Sequence, residues 1–281
     1  QIVLVDHKGN RVDSVKYFDD KPWPIHADGG GSSLELRDPK SDNSVPESWS
    51  ESSKSDQSEW VHYSYTMTAQ VPTYTPTIRN FHELRLGLLD SGEVLIDDVS
   101  VIEDPGGANR ELMQNGTFDA GNANYWRRIG THKLSEVIDS EESPVLKIVA
   151  SARMNYLNNL IETNLKSNGS WAPVKPGTDY QISFRAKWLK GTPQLRFELY
   201  YNRLAKTVIL KQPDKHGTPG EENSTRVVNS GPTFQNVNHY PPVPEPNQSI
   251  TVRGQVNDPD GVKSLLIHYA NDGSPFRTAS V

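Results

Sequence analysis

A chain of 281 residues is long enough for two or three domains, each with a core of its own. Hydrophobic residues make up 34%, glycine and proline supply 20 residues each, and Thr, Ser and Asn are abundant, which suits short strands and turns better than helices. The net charge of −6 comes without any basic block, which argues against nucleic acid as a partner, and no apolar run approaches the roughly 18 residues of a membrane-spanning helix. Cysteine is absent, so disulfides and thiolate metal sites are excluded.

The chain opens on Gln1-Ile2-Val3-Leu4-Val5-Asp6, which reads as a strand rather than a leader peptide, so the chain is expected to be a piece of something longer. A turn at His7-Lys8-Gly9-Asn10 and the alternation of Val12 to Tyr17 predict a hairpin. A third strand is expected over Ser33 to Asp38, and the stretch closes on Asp42 to Trp49. Three strands are too few for an independent sandwich. The phrase WP-x5-GGGSSLEL-x-DP-x2-DNSVPESW resembles the C-terminal half of a bacterial lamin-tail domain, an immunoglobulin-like sandwich. The element that ends such domains resembles Gly217 to Ser224 here, so the resemblance implies a domain over 1–52 closed by 213–225, with a second domain inserted in a terminal loop, where insertions are tolerated.

Residues 53–212 are the expected insert. Val61, Tyr63, Tyr65, Met67 and Ala69 alternate with polar residues, as do Leu84, Leu86 and Leu88. In the run Val94 to Val101, alternation places Leu95, Asp97, Val99 and Val101 on one face, where a carboxylate must be paired, hydrogen-bonded or metal-bound. Asn115-Gly116-Thr117-Phe118-Asp119 reads as a turn leading into a strand, and further strands are expected near Val145 to Ala150 and Tyr156 to Ile161. Tyr180, Ile182, Phe184, Ala186 and Trp188 share one face of a clear strand, followed by Leu195, Phe197, Leu199 and Tyr201 on another, and by Thr207 to Lys211. Nine or ten short strands at even spacing predict a β-sandwich.

The phrases WVHYSYTMTA, VLIDDVSV, NGTFDAG, YW and VKPGTDYQISFRAKW resemble a galactose-binding-like jelly roll of the carbohydrate-binding-module type. That family opens on NG-x-F and closes on IDDV, whereas here the closing half comes first, which implies a circular permutant whose two phrases meet inside one sandwich. The remaining segment, 226–281, begins with the Pro-rich stretch Pro241 to Pro246, continues with the alternating Ser249 to Val256, and resembles part of a bacterial immunoglobulin-like module. The expected fold class is therefore all-β, a jelly roll plus immunoglobulin-like sandwiches.

Two sites follow as expectations. The jelly-roll resemblance implies a structural Ca²⁺ held by Asp97 and Asp119 with backbone oxygens near Asn115 and Gly116; the alternative is that Asp97 caps backbone N–H groups or pairs with an arginine such as Arg110. Asp258 and Asp260 flank a Pro-Gly turn and are read as part of that turn. A glycan-binding face is expected at Trp126 and Arg127 in the loop after the opening phrase and at Arg196, Glu198 and Tyr200, which point together away from the core, while Trp49, Trp60 and Trp188 are read as core. Outward Arg, Glu and Tyr also form ordinary cross-strand clusters. No nucleophile elbow, His-Glu-x-x-His or phosphate loop occurs, and the acid pairs Glu35/Asp38 and Glu141/Glu142 have structural explanations, so no enzyme is expected. The sequence reading is a non-catalytic, extracellular, cell-surface region of a larger bacterial protein that binds polysaccharide or glycan; the alternative is a spacer or self-assembling module of a surface array.

Overall fold

The computed structural model describes residues 1–53, 55–71, 80–155, 158–200, 203–270 and 275–281. The protein is all-β: apart from short 3₁₀ turns its regular structure is strands, paired antiparallel. It divides into two compact units, the first made of 1–28, 33–52 and 218–281, the second of 29–32 and 53–217. The boundary expected at 226 does not separate compact units, and 218–281 groups with the first unit.

In the first unit β1 (Ile2–Val5) and β2 (Arg11–Val15) form the expected hairpin, whose turn is fixed by Asp6 accepting the amides of Lys8 and Asn10 at 2.8 and 2.9 Å. β3 (Leu34–Leu36) pairs with β4 (Trp49–Glu51). Glu35, only 1% exposed, accepts hydrogen bonds from the hydroxyls of Thr218, Ser224 and Thr225 and from the Thr225 amide (2.9 Å). The ends of the long insert converge two residues away: Ser33 takes the Ser52 amide on its carbonyl oxygen and the Thr218 amide on its hydroxyl, both at 2.8 Å.

The second unit packs two sheets face to face. One runs β10 (Glu136–Ile138), β11 (Val145–Ala150), β7 (Gly92–Glu103), β15 (Asp179–Gly191), β5 (Val61–Thr68), with β8 (Arg110–Glu111) also pairing to β7. The other runs β17 (Leu204–Ile209), β16 (Gln194–Leu199), β6 (Glu83–Leu88), β12 (Ile161–Asn164), β9 (Trp126–Arg128). β7 therefore pairs with strands from well after residue 115, and the described residues of 60–102 and 115–211 belong to one sandwich. The two phrases meet directly: the Val99 amide donates to Gly116 O at 2.9 Å.

Period-two alternation fills the core. Tyr180, Ile182, Phe184, Ala186 and Trp188 of β15 face Leu84, Leu86 and Leu88 of β6 and Leu195, Phe197 and Leu199 of β16 across the sandwich. Tyr201 and Tyr156 lie outside the described residues; the strand expected from 156 begins at Ile161. The alternation predicted for β7 needs correction. Val94, Ile96, Val99 and Val101 are the buried members, because Asp98 and Val99 together face Phe184 in a β-bulge, with Asp98 at φ 50°. The extra residue changes the phase, so Asp97 and Leu95 lie on the outer face, opposite Val99 and Val101.

Candidate functional site

Asp97 is 2% exposed on that outer face, and its Oδ2 accepts from Arg185 Nη2 at 2.7 Å. The same guanidinium meets Asp98 at 2.8 Å and Glu142 at 3.2 Å and lies 5.2 Å from the Trp60 ring centre. The Asp97 hydrogen bond, with the other two carboxylates, raises the Arg185 pKa above its ordinary value. An arginine is thus Asp97's partner, but it is Arg185; Arg110 instead pairs with Glu103.

Asp119 is exposed and accepts from the Thr117 hydroxyl at 2.7 Å. Asn115 O takes the Trp126 indole N–H at 3.0 Å, and Gly116 O takes the Val99 amide. One oxygen, Asp97 Oδ1, is buried with no partner. Calcium needs six to eight oxygens, and a guanidinium already occupies the Asp97 carboxylate. Among the described residues no group of three His, Cys, Asp or Glu is placed to hold an ion. The residues present do not fit a calcium centre. At Asp258 to Gly261 the chain makes a turn, with the Gly261 amide bonded to Asp258 O and the Asp260 amide to Asp258 Oδ1.

The outer face of the second sheet collects most of the other candidates. Cross-strand register aligns Arg127, Glu162, Arg85 and Glu198 in one row over β9, β12, β6 and β16. Charge alternates along it: Arg127 pairs with Glu162, Glu162 with Arg85 at 3.4 Å, Arg85 with Glu198 at 3.0 Å, and Glu198 with Arg196 at 3.0 Å. Arg85 also lies 4.9 Å from the Tyr200 ring, which packs on Phe81 at 5.0 Å. Arg127, Arg196, Glu198 and Tyr200 therefore lie on one face, joined by Arg85 and Glu162, which the sequence reading missed. Glu198 is 4% exposed and committed to its two arginines, whereas the Arg127 side chain is 54% exposed. Over Gly87, Met154 and Leu160 close the sheet to a recess of about 10 Å³.

Trp126 is placed differently from expectation. It is 6% exposed, packs on Phe118 with ring centres 5.7 Å apart, and spends its N–H on Asn115 O. The exposed neighbour is Tyr125, 62% accessible, in the left-handed region at φ 73°. That conformation costs about 1–2 kcal/mol in an L-residue. It turns one ring of the pair outward while the next faces the core.

A second exposed ring stands close by. β13 (Lys166–Ser167) and β14 (Ser170–Trp171) form a two-residue hairpin around Asn168 and Gly169, at φ 49° and 79°, the geometry that Asn-Gly favours. The hairpin is tied down by Leu165 N to His82 O (2.6 Å), Lys166 N to Leu112 O (2.9 Å) and Ala172 N to Leu165 O (3.0 Å). Trp171 is 53% exposed and has His82 against it at 4.7 Å. The Lys166 ammonium reaches both rings, 4.6 Å from Trp171 and 5.6 Å from Tyr125. Arg127 Nη2 bonds Asn164 Oδ1 at 3.2 Å, two residues before Lys166. None of Tyr125, Lys166 or Trp171 was singled out from sequence, although the Asn168-Gly169 pair signals the hairpin that carries two of them.

Compared with protein-family models, curated proteins and solved structures, the chain finds no match.

Proposed function

We propose that the second unit is a non-catalytic glycan-binding module of an extracellular bacterial surface protein, and that its binding face is the edge where β9, β12 and the β13–β14 hairpin meet. The observation that carries this reading is the pair of exposed rings, Tyr125 and Trp171, beside the polar groups of Arg127 and Asn164. Sugar rings stack on exposed aromatic faces while planar polar side chains take their hydroxyls. Arg196 and Tyr200 extend the same face, and the closed ladder through Glu198 holds it rigid. The resemblance to lamin-tail, galactose-binding-like and immunoglobulin-like modules supports the same reading. The competing reading, a spacer or self-assembly module with no soluble ligand, is favoured by the internal pairing of the ladder charges, which leaves fewer polar groups for a ligand.

Affinity electrophoresis through gels containing single soluble polysaccharides separates the two. Retardation of the intact chain by at least one polymer, lost in Trp171→Ala while the melting temperature is kept, is the expected result. A chain that no polymer retards is a spacer.

A further inference from the structure

The Lys166 ammonium is the feature of this face that a neutral sugar does not explain. Among the described residues it has two aromatic rings and no carboxylate for partners. The nearby carboxylates are engaged: Glu162 takes Arg127 and Arg85, and Glu83 accepts the His82 amide at 2.9 Å. In the free protein the cation lies over the rings that a sugar would stack on. A neutral sugar would displace it and return nothing. A sugar bearing a carboxylate would exchange a weak cation–ring contact for a charge-assisted hydrogen bond. Arg127, half exposed on the same edge, adds a second donor fork that matches carboxylate geometry. The net negative charge of the chain does not oppose this at close range, since charges more than about 8 Å away are screened at physiological salt.

Resting on the glycan-binding reading, we propose that Tyr125, Lys166 and Trp171 select carboxylated polysaccharides, those built from uronic acids, over neutral ones. The ring face of the sugar stacks on an exposed aromatic, and the swung-out Lys166 ammonium meets the carboxylate at its rim.

The test uses the full chain in affinity gels containing polygalacturonate or its neutral counterpart, galactan, at low and high sodium chloride. The expected result is retardation by polygalacturonate that weakens as salt rises, with weaker retardation by galactan. Lys166→Gln should lose roughly tenfold in affinity for polygalacturonate with little change for galactan, and Lys166→Arg should restore it. Melting curves check that each variant is folded. Equal retardation by both polymers, unchanged in Lys166→Gln, overturns the selectivity but leaves glycan binding standing. Retardation by neither polymer overturns the selectivity, and if no other polysaccharide retards the chain either, the glycan reading falls with it.

Discussion

At the scale of single residues, His132 ties pH to the stability of the second unit. It is fully buried, and its Nε2 accepts the Leu88 amide at 3.0 Å, so the ring is neutral on that nitrogen. Burial pushes its pKa down from the ordinary 6.5 to about 4, against a small opposing pull from the Asn159 backbone. A histidine that protonates at 6.5 when unfolded and near 4 when folded favours the unfolded chain as pH falls between those values. The loss approaches about 3 kcal/mol by pH 4. Melting followed at neutral pH and near pH 4.5 should show this drop, and His132→Gln, which keeps an acceptor for Leu88, should flatten it. The Asp97–Arg185 pair yields a second expectation: added calcium and excess chelator give the same melting temperature, because Arg185 already occupies the Asp97 carboxylate and no group of carboxylates among the described residues is placed to hold the ion.

At the scale of elements, Gly116 explains why the two acid-bearing phrases are neighbours. A Cβ there would overlap the Val99 carbonyl oxygen, a backbone atom fixed within β7. Gly116→Ala should therefore cost about 3 kcal/mol, read as a lowered denaturation midpoint, whereas Gly121→Ala, which meets nothing within 4 Å, costs only its backbone strain at φ 66°. Much of the sandwich was legible in the sequence. β15 and β16 alternate so regularly that their core faces were named residue by residue. The bulge at Asp98 was not legible, because an Asp-Asp pair inside a valine run looks the same whether or not it changes phase. Nor could the sequence decide between Tyr125 and Trp126. Both are large aromatics, and the choice rests on a left-handed backbone angle that no propensity announces. The ladder escaped for a different reason: Arg85, Arg127, Glu162 and Glu198 become neighbours only through the register of four strands far apart in the chain.

At the scale of the whole molecule, the insert has its own closure. The Lys211 amide donates to the Tyr63 hydroxyl at 2.8 Å, and the Lys211 ammonium pairs with Glu59, so the first and last strands' surroundings are fastened within the second unit. Residues 53–217 expressed alone should melt in one cooperative transition; a molten, uncooperative product would show that the unit depends on the rest of the chain. Glu35 carries a different consequence. Three of its four donors are hydroxyls, and its nearest one in sequence, on Thr218, lies 183 residues downstream. A ribosome has therefore released the carboxylate long before any of these four donors exists. Closing so long a loop from an open chain costs about 4–5 kcal/mol of entropy, but a second unit already folded shortens the gap to the span between its own ends. The order of synthesis thus makes the inserted sandwich the scaffold for finishing the unit it interrupts, and the Glu35 segment waits for the residues that follow the insert.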